Sequence, residues 1–259
     1  MALRLSIRNT RLASHGRPIP TDPRKSALRT RCWSALREAG AARFPGVEGR
    51  IPNFVGAEAA AARLASLPVF IEARTLKVNP DSPQRPVRAA ALRAGKILYL
   101  PVPKLAEDTP FLELDPEEIG PANLWRASSI KGAFELGRPV TIDAIGTLDL
   151  IVTGCVGVSR RGARLGKGGG YSDLEYGLLR ELGCVDEDTP IVTTVHPSQV
   201  VADDLIPMTA HDIGLDHIVL PDRVIDCERP WPRPTGILWD HLDTAKIHSI
   251  PVLAARSPT

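Results

Sequence analysis

The chain has 259 residues, 43% of them hydrophobic, and its 32 Lys and Arg against 30 Asp and Glu leave a formal net charge of +2. That length accommodates one α/β domain with a full core, and so balanced a charge neither demands a nucleic-acid partner nor points to a membrane surface. Cys32, Cys155, Cys184 and Cys227 show no Cys-x-x-Cys spacing, which argues against a zinc ribbon, a thioredoxin-type site or a disulfide framework. No apolar run approaches the roughly 18 to 20 residues of a spanning helix, so a protein of the reduced cytoplasm is expected.

Residues 1–21 carry Arg4, Arg8, Arg11 and Arg17 with no acidic residue before Asp22, and read as a flexible basic leader outside the core. Asp22-Pro23 then combines an N-cap with proline at the first helical position. Ala27, Leu28, Cys32, Ala35 and Leu36 fall on one face of the helix that follows, and Gly40 ends it. Lys25 and Arg29 lie one turn apart on that helix, either as a solvated face or as two cations aimed at one anion. Residues 44–54 form a turn-rich connector, and 56–67 an Ala-rich helix closed by Pro68.

A strand over 75–78, a loop over 79–84, a helix over 85–94 and a strand over 96–101 make one βαβ crossover. Residues 111–115 read as an edge strand. Residues 116–139 read as irregular, with 130–134 a loop near a site or simple cover. The segment 147–152 is the expected central strand, 174–183 its crossover helix, and 189–195 a further strand. Residues 22–226 thus form one α/β domain, and 227–259 an extension packed on it, in which 236–239 is a late strand or edge cover and Trp231 and Trp239 serve packing. This order predicts a three-layer α/β/α fold with a mainly parallel sheet.

Between central strand and crossover helix stands Arg164-Leu-Gly-Lys-Gly-Gly-Gly-Tyr-Ser-Asp173. At the carboxyl end of a parallel strand, such a loop presents free N–H groups and a helix N-terminus to phosphate oxygens, and Arg164 and Lys167 add charge. The alternative is a mobile surface loop. It fits neither the Walker motif nor the dinucleotide fingerprint. Asp173 and Asp216 are either a helix cap and a strand-end carboxylate, or oxygen ligands of the kind Mg²⁺ takes beside phosphates. His196, His211, His217, His241 and His248 lack zinc-ligand spacing.

Asp149-Leu-Ile-Val152 followed by Gly162-Ala-Arg-Leu-Gly-Lys-Gly-Gly-Gly-Tyr-Ser-Asp173 resembles the signature of the 5-formyltetrahydrofolate cyclo-ligases, also called methenyltetrahydrofolate synthetases. Lys25-Ser-Ala-Leu-Arg29 is similar to the Lys-x-x-x-Arg of their first helix. Pro207, His211-Asp212 and Asp216 are similar to their Pro-x-x-x-His-Asp-x-x-x-Asp segment, which implies a loop followed by a strand over 215–219. The resemblance covers about residues 23–226 and is closest over 149–219. It implies that ATP phosphorylates the formyl oxygen of 5-formyltetrahydrofolate, that nitrogen 10 attacks the activated carbon, and that phosphate leaves as 5,10-methenyltetrahydrofolate forms.

On that resemblance ATP is held by Lys25, Arg29, Arg164, Leu165, Gly166, Lys167, Gly168, Gly169, Gly170, Tyr171 and Ser172, and Mg²⁺ by Asp173 and Asp216. Arg164, Lys167 and Tyr171 take part in catalysis, and Tyr171, Asp81 and Gln84 face the folate. The chain departs from the family pattern at Ser172, where a second tyrosine is expected, and around Asp81 and Gln84, which stand where a glutamate is expected. These departures resemble a paralogue branch tied to thiamine metabolism. The expected partner is therefore a small molecule, folate-like or thiamine-related, with a non-catalytic nucleotide-binding regulator as the alternative. No RNP-like aromatic strand is visible, and the sequence does not set an oligomeric state.

Overall fold

In the computed structural model, which describes residues 22–258, Asp22 accepts a hydrogen bond from the Arg24 amide and Pro23 opens helix α1 (Pro23–Glu38). The leader expected over 1–21 lies outside the described residues. Helices α2 (Ala57–Ala65) and α3 (Pro68–Ile71) precede β1 (Thr75–Val78), α4 (Arg85–Arg93) and β2 (Ile97–Pro101). Strands β1 and β2 pair in parallel with Leu76 opposite Leu98, the crossover read from the sequence.

Two expectations change in the next stretch. Strand β3 (Phe111–Leu114) is not an edge, and residues 116–139 are not irregular but carry α5 (Pro116–Ile119), α6 (Leu124–Ala127) and α7 (Ile130–Leu136). The edge is instead β4 (Arg138–Val140), antiparallel to β3. Its Pro139 has no N–H to donate, which an edge strand tolerates.

The chain continues through β5 (Leu150–Val152), β6 (Gly157–Ser159), β7 (Arg164–Leu165), α8 (Tyr171–Glu181), β8 (Ile191–Thr194), β9 (Val200–Val201), β10 (His217–Val219), β11 (Val224–Asp226), α9 (Thr244–His248) and α10 (Pro251–Ala254). The main sheet has the order β11-β10-β8-β5-β1-β2-β3-β4. Its central pairs are parallel and antiparallel pairing is confined to the rims. A small second sheet, β7-β6-β9, stands apart from it.

Alternation along the buried strands divides the core between two faces. Leu150 and Val152 of β5 join Leu64 of α2 and Val87 and Leu92 of α4. Ile151 joins Leu178 and Leu179 of α8 with Ile250 and Leu253 from the C-terminal segment. Each fully buried Leu or Ile contributes roughly 1.5–3 kcal/mol, so both helical layers are held firmly to the sheet. Residues 236–239 form no strand. Gly236 and Ile237 lie against α8 instead, at Gly177, where an added Cβ would stand 2.8 Å from Ile237 Cδ1.

Candidate functional site

The glycine loop is reached differently from the way the sequence implies. Strand β5 does not feed it directly, because the antiparallel pair β6 and β7 intervenes and carries Arg164 into the interior. Leu165, expected among the nucleotide contacts, is fully buried in β7 and packs with Leu28 and Cys32 of α1, so its side chain cannot meet a ligand. The loop proper is 166–170. Gly168 and Gly170 hold φ of +106° and +68°, conformations that a side chain would strain. Gly170 caps α8, which begins at Tyr171 rather than at 174, so Tyr171, Ser172 and Asp173 form its first turn. No side chain caps that turn, which leaves its amides for a ligand.

Three cations converge on the loop. Arg29 Nε donates to Gly166 O at 2.7 Å, and an added Cβ at Gly168 would stand 3.3 Å from Arg29 Cζ. Lys25 Nζ donates to the Asp212 oxygens at 2.8 and 2.6 Å, and Asp212 also accepts from Thr209 N and Oγ1 at 2.7 Å each. Arg164 donates to Asp173 Oδ1, which also accepts from the Ile213 amide at 3.2 Å. Together these groups line a cavity of about 150 Å³.

Burial works against the Arg164 charge, yet the neighbouring groups, Asp173 foremost and Cys155 and Asp212 with it, together outweigh it and hold the guanidinium above its ordinary value. Burial likewise works to raise the Asp212 carboxyl, but Lys25 and the Thr209 hydrogen bonds hold it below the usual range. At Arg29 burial prevails and lowers the value, the charge of Asp212 compensating only in part. Asp22, at the rim, is bonded to Arg24. Lys25, Arg29 and Arg164 thus exceed Asp173 and Asp212 by one positive charge, carried by the buried Arg29 guanidinium, which an anion would satisfy.

Beyond the loop lies a larger cavity of about 530 Å³, lined by Asp81, Gly154, Lys167, Tyr171, Ser172 and Glu175 among others. Lys167 Nζ pairs with Asp81 Oδ1 at 3.2 Å. Asn79 Nδ2 donates to Ser172 Oγ at 2.9 Å, and Lys77 Nζ donates to Asn79 Oδ1 at 2.8 Å while it pairs with Glu175. Burial lifts the Glu175 carboxyl above its ordinary value against the pull of Lys77. Arg88, 1% exposed, donates to the carbonyls of Asn79 and Asp81 and fixes the loop that carries them. The expectation for 130–134 resolves as the first turns of α7, whose Ile130 lines this cavity.

Two expected site residues are not brought there. Gln84 is fully buried beneath Gly154, where an added Cβ would stand 3.0 Å from its Oε1, and Nε2 approaches Thr194 Oγ1 at 3.4 Å. It supports the floor and does not line the cavity. Asp216 precedes β10 and so sits at the amino ends of the parallel strands, opposite the loop. Its carboxylate accepts from the Ile191 amide at 2.7 Å and from Arg229 and Arg233. The carboxylate that does reach the cationic cavity is Asp212, on the turn closed by Asp212 N to Thr209 O at 3.0 Å.

Lys77, Arg88 and Glu175 are also absent from the sequence reading. Only Glu175 left a signal, as the residue one helical turn after Tyr171. Among the described residues no group of three or more His, Cys, Asp or Glu is placed to hold a metal. Burial pushes the Cys32 and Cys155 thiols to about 11 and Cys227 to about 12, so none is a ready thiolate near neutral pH. No helix among the described residues is long and apolar enough to cross a membrane.

A family model described as the 5-formyltetrahydrofolate cyclo-ligase family matches residues 21–221. The chain belongs to that family. Among curated relatives of this cyclo-ligase-family chain, the methenyltetrahydrofolate synthase domain-containing protein of Mus musculus is 40% identical over 231 residues, 88% of this chain and 62% of that protein. The Homo sapiens protein of the same name is 36% identical over 233 residues, 88% of this chain and 60% of that one. The chain thus spans about three fifths of the length of these relatives. The NMR structure of Aquifex aeolicus 5,10-methenyltetrahydrofolate synthetase covers 83% of the chain and 97% of its own at a TM-score of 0.50 and 22% identity, a likeness of fold. The family match stops before β11, α9 and α10.

Proposed function

We propose that the chain is an ATP- and Mg²⁺-dependent cyclo-ligase that converts 5-formyltetrahydrofolate to 5,10-methenyltetrahydrofolate. The observation that carries this reading is the convergence of Lys25, Arg29 and Arg164 on an uncapped, glycine-lined helix N-terminus beside a cavity large enough for a second substrate. Phosphoryl transfer needs placement and charge neutralisation more than a protein nucleophile, and that is what these groups supply. Lys25 and Arg29 neutralise phosphate charge from α1, Arg164 from β7, and the amides after Gly170 complete the cradle.

Lys167 lines the larger cavity beside the loop. Its pair with Asp81 is half-exposed and worth at most about 1 kcal/mol, so the ammonium is readily released to a transferring phosphoryl group. Asp173 and Asp212 both face the cationic cavity and suit Mg²⁺, which takes one or two carboxylates together with phosphates and water. When bound there, the ion would neutralise charge on the phosphates. In the larger cavity Tyr171 offers a ring, and Asp81, Ser172 and Glu175 offer polar atoms to a flat, hydrogen-bonding substrate. The formyl oxygen attacks the γ-phosphorus of ATP and displaces ADP, nitrogen 10 attacks the activated carbon and gives up its proton, and the carbon–oxygen bond breaks to release phosphate.

Calorimetric titration with ATP in Mg²⁺ tests the nucleotide half. Lys25→Ala or Arg29→Ala removes a charge-assisted contact of roughly 1.5–3 kcal/mol and should weaken binding about tenfold or more. Unchanged affinity in both would return the pair to an ordinary helix face.

A further inference from the structure

Next to the cationic cavity, another of about 190 Å³ opens between the glycine loop and residues 234–246. The two share Gly168, Gly170, Asp173 and His211, so they form one continuous cleft. Their characters differ. Leu174 of α8 and Pro234, Ile237, Leu238 and Leu242 of the C-terminal segment give this second part largely hydrocarbon walls, where the first is lined by charge.

The segment is fastened at two points, one on the glycine loop and one on the turn that carries Asp212. Lys246 Nζ donates to Gly169 O at 3.1 Å and lies 3.6 Å from the centre of the Tyr171 ring, a cation–π contact. Across the cleft, His241 Nδ1 meets His211 Nδ1 at 2.9 Å, joining the segment to the turn that carries Asp212. One ring nitrogen of each histidine is engaged in this contact. Beside the engaged Asp173, His211 and Lys246, the polar lining of the slot comes from His241 and the glycine loop, and the rest is hydrocarbon.

A cleft with three cations at one end and a narrow apolar slot at the other fits a molecule with a polyanionic end and a flat, weakly polar end. We propose that residues 234–246 build the base subsite of the nucleotide site. A nucleoside triphosphate lies with its phosphates among Lys25, Arg29 and Arg164, and its base between Leu174 and the Leu238 and Leu242 side chains. The large cavity on the other side of Gly169 and Tyr171 remains for the second substrate. The whole segment lies beyond the family match, which ends at residue 221. The inference rests on the nucleotide reading above.

Calorimetry on the full chain in Mg²⁺, with ATP and with inorganic tripolyphosphate, separates the two. ATP should bind at least about tenfold more tightly, through the buried base. Leu238→Trp, which fills the slot, should bring ATP down to the tripolyphosphate affinity and leave tripolyphosphate unchanged. Equal affinities in the unaltered protein would overturn the base subsite and leave the phosphate site standing. Binding of neither would overturn the nucleotide reading and the subsite with it. In Leu238→Trp with an unchanged Tm, parallel loss of both ligands or of neither would also overturn the proposal, and the two titrations of the unaltered protein decide it where that variant fails to fold.

Discussion

Arg164 is the cation most dependent on its partner. Its side chain is 4% exposed, it donates to Asp173 Oδ1, and its Nε has no hydrogen-bond partner. Asp173→Asn keeps the shape but removes the charge, leaving a buried guanidinium without its compensating carboxylate, a change that costs about 3 kcal/mol or more. In a domain of this size each kcal/mol shifts Tm by about 2–4 °C, so melting should fall by about 6–12 °C. Arg164→Met removes the cation instead, and Asp173, at the cavity wall with 13% exposure, can then draw on water. Adding Asp173→Asn to Arg164→Met should therefore cost little more. Denaturant melts of the two single variants and the double should give a coupling energy of about 2 kcal/mol. Additivity within about 0.5 kcal/mol would mean instead that the two charges do not depend on each other.

Asp212→Asn should weaken ATP binding in Mg²⁺, whereas Asp216→Asn, which disturbs Arg229 and Arg233 on the far edge, should lower Tm and leave ATP affinity within about twofold. The reverse pattern in calorimetry would restore Asp216 to the site. Because the folded-state value of the Asp212 carboxyl lies below its ordinary one, its contribution is fully present above about pH 4 and is lost as pH falls through the depressed value. Tm followed from about pH 6 to about pH 2 should therefore drop more steeply in the unaltered protein than in Asp212→Asn, and equal slopes would sink the assignment.

The glycine loop and the parallel order were legible because glycine spacing and alternating apolar segments reflect local backbone chemistry. Arg29 was also legible, one turn after Lys25, since a single helix carries both to the loop. The second carboxylate was not, because Asp212 and Asp216 share one short segment, and only the fold shows that four residues separate the carboxyl edge of the sheet from its amino edge. Gln84 carries the polar character of a substrate contact, but the close approach of Gly154 seals it beneath the floor. Lys77 was hidden in an apolar strand, where a lysine carries no period of its own; its role depends on Glu175, reached from a helix nearly a hundred residues later in the chain. Strand β4 escaped notice because three residues with a central proline carry no strand signal. The slot built by 234–246 has neither helical nor strand period, and its form comes from packing on α8.

In the proposed reaction the two halves of the cleft act together, ATP on the cationic side and a formyl-bearing folate on the other. Its most direct test is to mix the protein with ATP, Mg²⁺ and 5-formyltetrahydrofolate and follow the near-ultraviolet absorbance of the methenyl product alongside phosphate release. Absorbance should rise only with ATP, match phosphate one for one and stay flat in Arg29→Ala. No methenyl product from a protein that binds ATP normally would contradict it.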